Sequence, residues 1–307
     1  MKNDVLKGSI FLALGASCYG MLGTFVKMAY HDEFNLAEVT LSQFALGFAG
    51  LLILTLFRKR KPETETTTSA SNIKSVFKLI GAGTSLGLTS IFYYMAVQYV
   101  PVSVAIVLLM QTVWMGVIVE MILHKKIPGS RKVVAVFIVL IGTTLATNLL
   151  HQSVVINWTG FGWGMMAALC YTATMYSSNT LELHFPPLKR SLYLILGGLI
   201  IISFIFHASL NQNFSYRIFL GWGLVISLFG TILPPLLFTK GMPLTGIALG
   251  AIIASIEIPV SVLMANILLN EPISLFQWMG VILILLAVTL MNIGNRKKQK
   301  LPMVGAN

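Results

Sequence analysis

One long apolar stretch near the end of the chain contains a glutamate and a proline two residues apart. Glu257 and Pro259 stand in a run from about 245 to 269 whose other side chains are almost all apolar. An ionised group at a bilayer centre costs roughly 2.5 to 3.5 kcal/mol, so it is tolerated mainly where it faces a bundle interior or water. Proline donates no backbone hydrogen bond, which predicts a free carbonyl at Ser255 beside the carboxylate. The stretch is therefore either a substrate or proton site, or a glutamate held by neighbouring helices for structure alone.

Other polar and aromatic side chains recur at helical spacing and could line the same site. Ser261 follows Glu257 by one helical turn, so the two side chains share one face of the predicted helix. Further candidates on other predicted helices are Tyr19, Thr89, Tyr93 and Tyr171. Packing between helices is the alternative interpretation, because small hydroxyl residues commonly join membrane helices.

A pair of prolines marks a second irregular position. Pro234 and Pro235 follow one another inside an apolar run, where they should leave the carbonyls of Gly230 and Thr231 free and kink the helix. The kink is either a gate or a bend that fits the bundle. Together with Pro259, these prolines are the candidate gating positions.

The composition identifies the class of protein that must position these residues. The 307 residues are 56% hydrophobic and 10% charged, and the mean hydropathy of +0.83 is too high for a soluble domain. The net charge of +11 does not indicate nucleic-acid binding, because the basic residues occupy short gaps between apolar runs. The sequence therefore predicts an integral membrane protein whose environment is the lipid bilayer.

Motifs for catalysis and for cofactors are missing from the sequence. Cys18 and Cys170 lie inside apolar runs without the spacing of a metal site or a disulfide framework. No zinc-protease helix motif, nucleophile elbow or phosphate-binding loop occurs either. We therefore expect neither an enzyme nor a nucleotide-driven pump, and no metal or other cofactor.

Ten apolar runs approach the length of about 20 residues that a spanning helix needs. They cover about 8–29, 36–57, 77–97, 102–123, 133–150, 160–181, 191–208, 219–238, 245–269 and 275–293. With the N-terminus inside, all 21 Lys and Arg residues except Lys27 and Arg217 fall on the cytoplasmic side, as the positive-inside rule requires. The predicted fold class is an all-α integral membrane protein with ten transmembrane helices and both termini in the cytoplasm.

Two internal alignments indicate a duplicated unit of five helices. Residues 8–19 align with 160–171, both ending in Cys-Tyr, and residues 111–127 align with 257–273. Because five is odd, the second copy must enter the membrane from the opposite side, which produces an inverted repeat. Such repeats are typical of secondary transporters with a site near the midplane, although a duplication without functional consequence is the alternative.

The predicted units are residues 1–150 and 151–295, followed by a basic cytoplasmic tail at 296–307. The repeat also pairs Glu257 with Gln111, and Trp114 follows Gln111 by one turn. If both helices face one cavity, Glu257 and Gln111 flank it and supply one charge and one neutral amide.

The sequence resembles one known family. Glu257-Ile258-Pro259-Val260, the following Glu271-Pro272-Ile273-Ser274 and the basic tail together resemble the EamA-type transporters of the drug/metabolite transporter superfamily. The resemblance covers essentially the whole chain. It implies a carrier of small metabolites or drugs, often amino acids and often exported, with a central cavity lined mainly by helices one, three, four, six, eight and nine. Many members carry Arg where this chain has Gln43, a difference that can alter the charge preference for substrates.

The leading hypothesis is a secondary transporter in an inner or plasma membrane that exports a small metabolite. Amino acids, related compounds and drugs are the expected substrates, and Glu257 is the expected binding or coupling group, with protons as the coupling ion. An uncoupled facilitator or exchanger is the alternative within transport. A structural or signalling membrane component that moves no substrate is the alternative from another class, and a membrane-embedded enzyme ranks last.

Overall fold

The computed structural model describes residues 2–57, 69–100, 102–125, 127–146, 157–211, 214–270 and 273–298. All regular elements in these ranges are helical. The α-helices are α1 (Lys2–His31), α2 (Leu36–Phe57), α3 (Ser69–Tyr99), α4 (Val102–Leu109), α5 (Thr112–His124), α6 (Ser130–Ala146), α7 (Trp158–Thr180), α8 (Pro187–Ile205), α9 (Trp222–Ser227), α10 (Leu233–Thr245), α11 (Ile247–Ala254), α12 (Glu257–Leu269) and α13 (Leu275–Lys298). Short 3-10 segments occupy His207–Asn211 and Tyr216–Leu220, and a π-helical turn occupies Leu228–Ile232.

The membrane character of the predicted fold is confirmed, and seven helical stretches in the described ranges are long and apolar enough to span a bilayer. They are Asp4–His31, Leu36–Phe57, Ile73–Tyr99, Val104–His124, Pro187–Ile205, Trp222–Thr245 and Ile247–Leu268. The predicted sixth span, α7, has buried Thr172, Thr174, Ser177 and Ser178, which lower its hydropathy. The predicted fifth span ends at 147–150, outside the described residues. Ten spans with cytoplasmic termini therefore stay a prediction.

The predicted fourth and ninth spans are each divided into two helices at corresponding positions of the repeat. The first division lies between α4 and α5 at Gln111, and the second lies between α11 and α12 beside Glu257. Pro259 occupies the first turn of α12. Backbone N–H groups in the first turn make no intrahelical hydrogen bond, so the missing N–H of proline costs nothing there. The prediction that the Ser255 carbonyl is free was wrong, because it accepts the N–H of Ile258 at 3.1 Å. A tight turn at the division uses this carbonyl.

The paired prolines follow the π-helical turn. The N–H of Leu233 reaches back five residues to the carbonyl of Leu228, which is π-helical bonding. Pro234 and Pro235 then occupy the first turn of α10, where their missing donors are not needed. The predicted irregularity in this span is therefore present, and it takes the form of a π-helical turn.

Small residues allow the long helices to pack closely. Helix α3 packs on α7 and α8, α1 packs on α10 and α12, and α6 packs on α13. Where α3 crosses α8, Gly83 faces the backbone at Leu194 and Gly197 faces the backbone at Ile80. Such close approach between helices replaces the hydrophobic driving force that is missing inside a membrane.

Helix α11 closes the end of the bundle that carries the N-terminus. Every residue from Ile247 to Ala254 is buried, and α11 packs against α1, α5, α7 and α10. Glu120 contacts Lys132 through one carboxylate oxygen, and its other oxygen accepts the N–H of Ala248 at 2.8 Å. Glu120 thus stabilises the first turn of α11 through the helix dipole.

Candidate functional site

A central cavity lies between α1, α2, α3, α4, α7 and α12, beside the division between α11 and α12. Its lining residues in α1 are Tyr19, Gly20, Leu22 and Gly23, so it lies in the half of the bundle toward His31. The volume of the cavity is about 90 Å³. This space suits several water molecules or a small organic group.

The cavity wall combines one carboxylate with hydroxyl, amide and aromatic groups. The uncharged polar side chains are those of Gln43, Thr89, Ser90 and Ser261. Four tyrosines contribute phenol rings: Tyr19, Tyr93, Tyr94 and Tyr171. Glu257 is the acidic member of the described lining. Apolar side chains such as Phe44 and Ile106 complete the wall.

Glu257 is the first residue of α12, and its carboxylate points into the cavity region. One of its oxygens, Oε2, is buried and has no hydrogen-bond partner in the described part of the chain. The start of a helix favours a negative charge, because the free N–H groups of the first turn carry a partial positive charge. Tyr19, Tyr93 and Tyr171 line the same cavity as this carboxylate.

The tyrosines that the repeat alignment pairs meet at this site. The rings of Tyr19 and Tyr171 lie edge to face, with their centroids 6.2 Å apart and an interplanar angle of 84°. The buried hydroxyl group of Tyr171 has no hydrogen-bond partner among the described residues. Tyr94 donates a long hydrogen bond of 3.4 Å to Oε1 of Gln43. Two buried oxygen atoms, one on Glu257 and one on Tyr171, thus remain available to a ligand.

The structure places six of the predicted site residues on the cavity wall. They are Tyr19, Thr89, Tyr93, Tyr171, Glu257 and Ser261. Gln111 and Trp114 are not among its lining residues: the Trp114 indole donates to Oε1 of Gln111 at 2.8 Å, and the Gln111 amide donates to the Val107 carbonyl at 3.0 Å. Trp114 instead lines a second, mostly apolar cavity between α5 and α7. Of the two residues that the repeat pairs, Glu257 lines the central cavity and Gln111 does not.

The candidate gating prolines are not among the residues that line the cavity. Pro259 is buried two residues after Glu257, and Pro234 and Pro235 are buried at the start of α10. Gly230, in the π-helical turn that precedes them, does line the cavity. The irregular backbone, rather than the proline side chains, thus reaches the site.

Gln43, Ser90 and Tyr94 line the cavity but were missing from the predicted set. Gln43 lies next to Gly230, where any added side chain would collide with the Gln43 amide. Its position two turns into α2 was visible in the sequence, but nothing in the apolar pattern assigned it to the site. Tyr94 follows Tyr93 directly, so a simple helical-face argument places the two on different faces.

Gly20 sets the distance between α1 and the first turn of α12. A Cβ atom at Gly20 would lie 2.5 Å from the Glu257 carbonyl oxygen, 2.9 Å from Cβ of Val260 and 3.1 Å from the Ser261 amide nitrogen. Backbone atoms cannot move aside as the end of a flexible side chain can. Gly20 therefore positions α12, and with it Glu257, against α1.

Gly20→Ala is expected to lower the free energy of unfolding by about 1 to 3 kcal/mol, because it overpacks this contact. The measurement is unfolding in detergent micelles followed by circular dichroism. Gly81→Ala is the matched control, since a Cβ there meets open space and alanine is favoured over glycine in a helix by about 0.5 to 1 kcal/mol. Equal stabilities for the two variants would show that α1 and α12 do not depend on this contact.

Comparison with known proteins adds to this geometry. The family model described as "EamA-like transporter family" matches residues 6–148 and again residues 158–293. A solved structure titled "Crystal structure of protein" superposes with a TM-score of 0.74, covering 94% of this chain and 98% of that chain at 12% identity. At that identity the likeness shows the fold alone. A search of curated proteins gives no match.

Proposed function

Because this chain belongs to the EamA-like transporter family, we propose that it is a secondary transporter that exports a small metabolite by alternating access. Family membership makes it a multi-pass membrane protein that transports a small molecule. The proposal adds that the central cavity is the substrate site, that Glu257 couples transport to protons, and that the protein works in a cell membrane. Amino acids and related compounds, including drugs, are the substrate classes that the family resemblance favours.

The observation that carries the proposal is the unpartnered buried oxygen of Glu257. A buried acceptor without a partner costs about 1 to 3 kcal/mol, and more when it is charged. Either a proton or a polar substrate can supply the missing partner. Since both would occupy the same carboxylate, binding of one favours release of the other, which is the requirement for exchanging a substrate against a proton.

The divided helices support a mechanism of alternating access. The divisions at Gln111 and beside Glu257 occupy equivalent positions of the two units, so each unit has an irregular point at the depth of the cavity. Discontinuous helices at a midplane site are a recurring feature of secondary transporters. In the conformation described here the buried helix α11 fills the end of the bundle near the N-terminus, and the cavity lies toward the opposite end.

The test is a flux measurement with reconstituted protein. Proteoliposomes are loaded with a mixture of amino acids, amines, nucleosides and organic acids, a pH gradient is imposed, and the retained compounds are quantified by mass spectrometry. We expect one chemical class to leave faster than from protein-free liposomes, and the difference to disappear when an ionophore collapses the gradient. Flux that survives the ionophore indicates an uncoupled facilitator, and no flux of any class contradicts the transport proposal.

A further inference from the structure

We infer that the central cavity selects a small organic cation, a protonated amine with a short apolar body, and places its nitrogen between Glu257 and Tyr171. This inference rests on the proposed function only in taking the cavity as the substrate site. It narrows the substrate classes of that proposal to amines without a carboxylate group and therefore excludes amino acids, a choice that the family match and the fold do not make.

The charge of the wall is the first argument. Glu257 is the only acidic residue among the described residues that line the cavity, and this lining contains no Lys, Arg or His. An anionic ligand would therefore meet a carboxylate without a compensating cation. The carboxylate of a zwitterion would meet the same obstacle, because Glu257 itself occupies the first position of α12. A cation, in contrast, supplies the charge that the buried carboxylate lacks.

The unpartnered oxygen atoms give the second argument. Oε2 of Glu257 and the hydroxyl oxygen of Tyr171 are both buried, both line the same cavity, and neither is bonded to the other or to another described group. Both can accept a hydrogen bond. A protonated amine carries donors and no acceptor, so it can satisfy the two oxygens together.

Aromatic rings give the third argument. Tyr19 stands edge to face with Tyr171 at 6.2 Å, and Tyr93 and Tyr94 lie on the same wall with their centroids 5.9 Å apart. The electron-rich faces of such rings attract ammonium groups, and quaternary ammonium ions are commonly recognised by aromatic cages. A carboxylate together with several tyrosines thus forms a site that matches a cation both by charge and by surface.

The remaining wall limits the body of the ligand. The apolar part of the wall consists of Leu22, Phe44, Leu86, Ile106, Leu109 and Ile258, and the cavity volume is about 90 Å³. An apolar body of one ring or a short alkyl chain can fill such a space with favourable contacts. A second charged group, as in a polyamine or an amino acid, would have to be buried against these aliphatic side chains without a partner.

The experiment compares four ligands that share one aromatic body and differ in charge. Purified protein in detergent is titrated calorimetrically with 2-phenylethylamine, 2-phenylethanol, 3-phenylpropanoate and phenylalanine. We expect the amine to bind at least about tenfold more tightly than the other three, because the desolvated carboxylate discriminates by charge. Tighter binding of the anion, the zwitterion or the alcohol, or no binding of the amine, overturns the inference.

Variants separate the two contributions and control for folding. Glu257→Gln is expected to weaken binding of the amine at least about tenfold, Tyr171→Phe to weaken it by a smaller factor, and Glu257→Asp to retain part of the selectivity for a cation. Glu33→Gln removes the same charge from an exposed loop position outside the cavity and is expected to bind as the wild type does. Affinities are compared only among variants whose thermal stability equals that of the wild type. Unchanged affinity in a folded Glu257→Gln protein overturns the inference.

Binding and flux are measured separately, so the two proposals can fail independently. Selective binding of the amine without flux in proteoliposomes contradicts the transport proposal and leaves the assignment of the cavity intact. Gradient-driven flux of an anion or a neutral compound contradicts the charge assignment and leaves transport intact.

Discussion

Replacing Arg190 with alanine is expected to lower the free energy of unfolding by about 2 to 4 kcal/mol, one of the two largest effects that this fold predicts. Arg190 lies at the start of α8 and is 2% exposed. Its Nε donates to the Leu181 carbonyl at 3.1 Å and its Nη2 donates to the Ser178 carbonyl at 2.7 Å, both at the end of α7. Its Nη1 donates to the Thr239 carbonyl of α10 at 3.0 Å. One side chain thus joins three helices.

Two opposing contributions decide the size of this effect. The last carbonyl groups of a helix have no intrahelical partner, so removing the guanidinium leaves several buried acceptors unpaired at about 1 to 3 kcal/mol each. Alanine also leaves a void where the side chain was. Against this, the variant no longer buries a charge, which returns part of the desolvation cost. Because several acceptors lose one common donor, the net effect remains a loss of stability.

The measurement is equilibrium unfolding in mixed micelles, with two comparison variants. Arg190→Lys keeps the charge but lacks the planar set of donors that reaches carbonyls in different directions, so it should recover less than half of the loss. Arg217→Ala removes an exposed arginine and should change stability by less than about 0.5 kcal/mol. If Arg190→Ala unfolds as late as Arg217→Ala, the guanidinium does not hold these helices together.

The helices were predictable because a membrane leaves the backbone few choices. In lipid every backbone N–H and C=O must be satisfied internally, so a long apolar run becomes a helix. The prediction loses force where a helix is buried among other helices, since it no longer needs an apolar surface all round. Helix α7 is the example: Ser85 of α3 bonds Thr174, and Thr112 of α5 bonds Thr172. These polar contacts stabilise the bundle while lowering the hydropathy by which spans are recognised.

The divisions of the two helices could be predicted only in part. A proline marked the second division at Pro259, but the first division at Gln111 has no proline beside it. Packing of α5 against α11, where Gly116 meets Ala251, accompanies the first division. Local residue types therefore indicate one division, and tertiary packing together with the repeat accounts for the other.

The candidate site was predictable where burial imposed a cost. Glu257 stands out in any apolar run, because an intramembrane charge needs a reason. The alignment with Glu257 predicted Gln111 at the cavity, but Gln111 does not line it. An amide carries both a donor and an acceptor, and the Gln111 amide bonds Trp114 and Val107. Gln43 joins the cavity through the approach of α2 to the π-helical turn. Such a contact between distant parts of the chain leaves no periodic signal.

The second large expected effect is the loss of coupled flux in Glu257→Gln, by about two orders of magnitude. Removing an interaction made by a buried charged group commonly costs 2 to 5 kcal/mol, and about 2.7 kcal/mol corresponds to a factor of 100. Glutamine has nearly the same shape as glutamate but cannot release a proton. The measurement is the initial rate of gradient-driven flux in proteoliposomes, using the substrate that the mixed-compound assay identifies.

The stability of the same variant distinguishes a functional glutamate from a structural one. If Glu257 were retained for structure, its replacement would lower the stability of the protein, because a buried hydrogen-bond partner would be lost. Oε2 of Glu257 has no partner in the described chain, so the neutral amide should leave the unfolding midpoint unchanged or raise it. Glu257→Asp keeps an ionisable group and should retain a flux that depends on the gradient, at a reduced rate. A Glu257→Gln protein that loses stability but transports normally would assign this carboxylate to packing between helices.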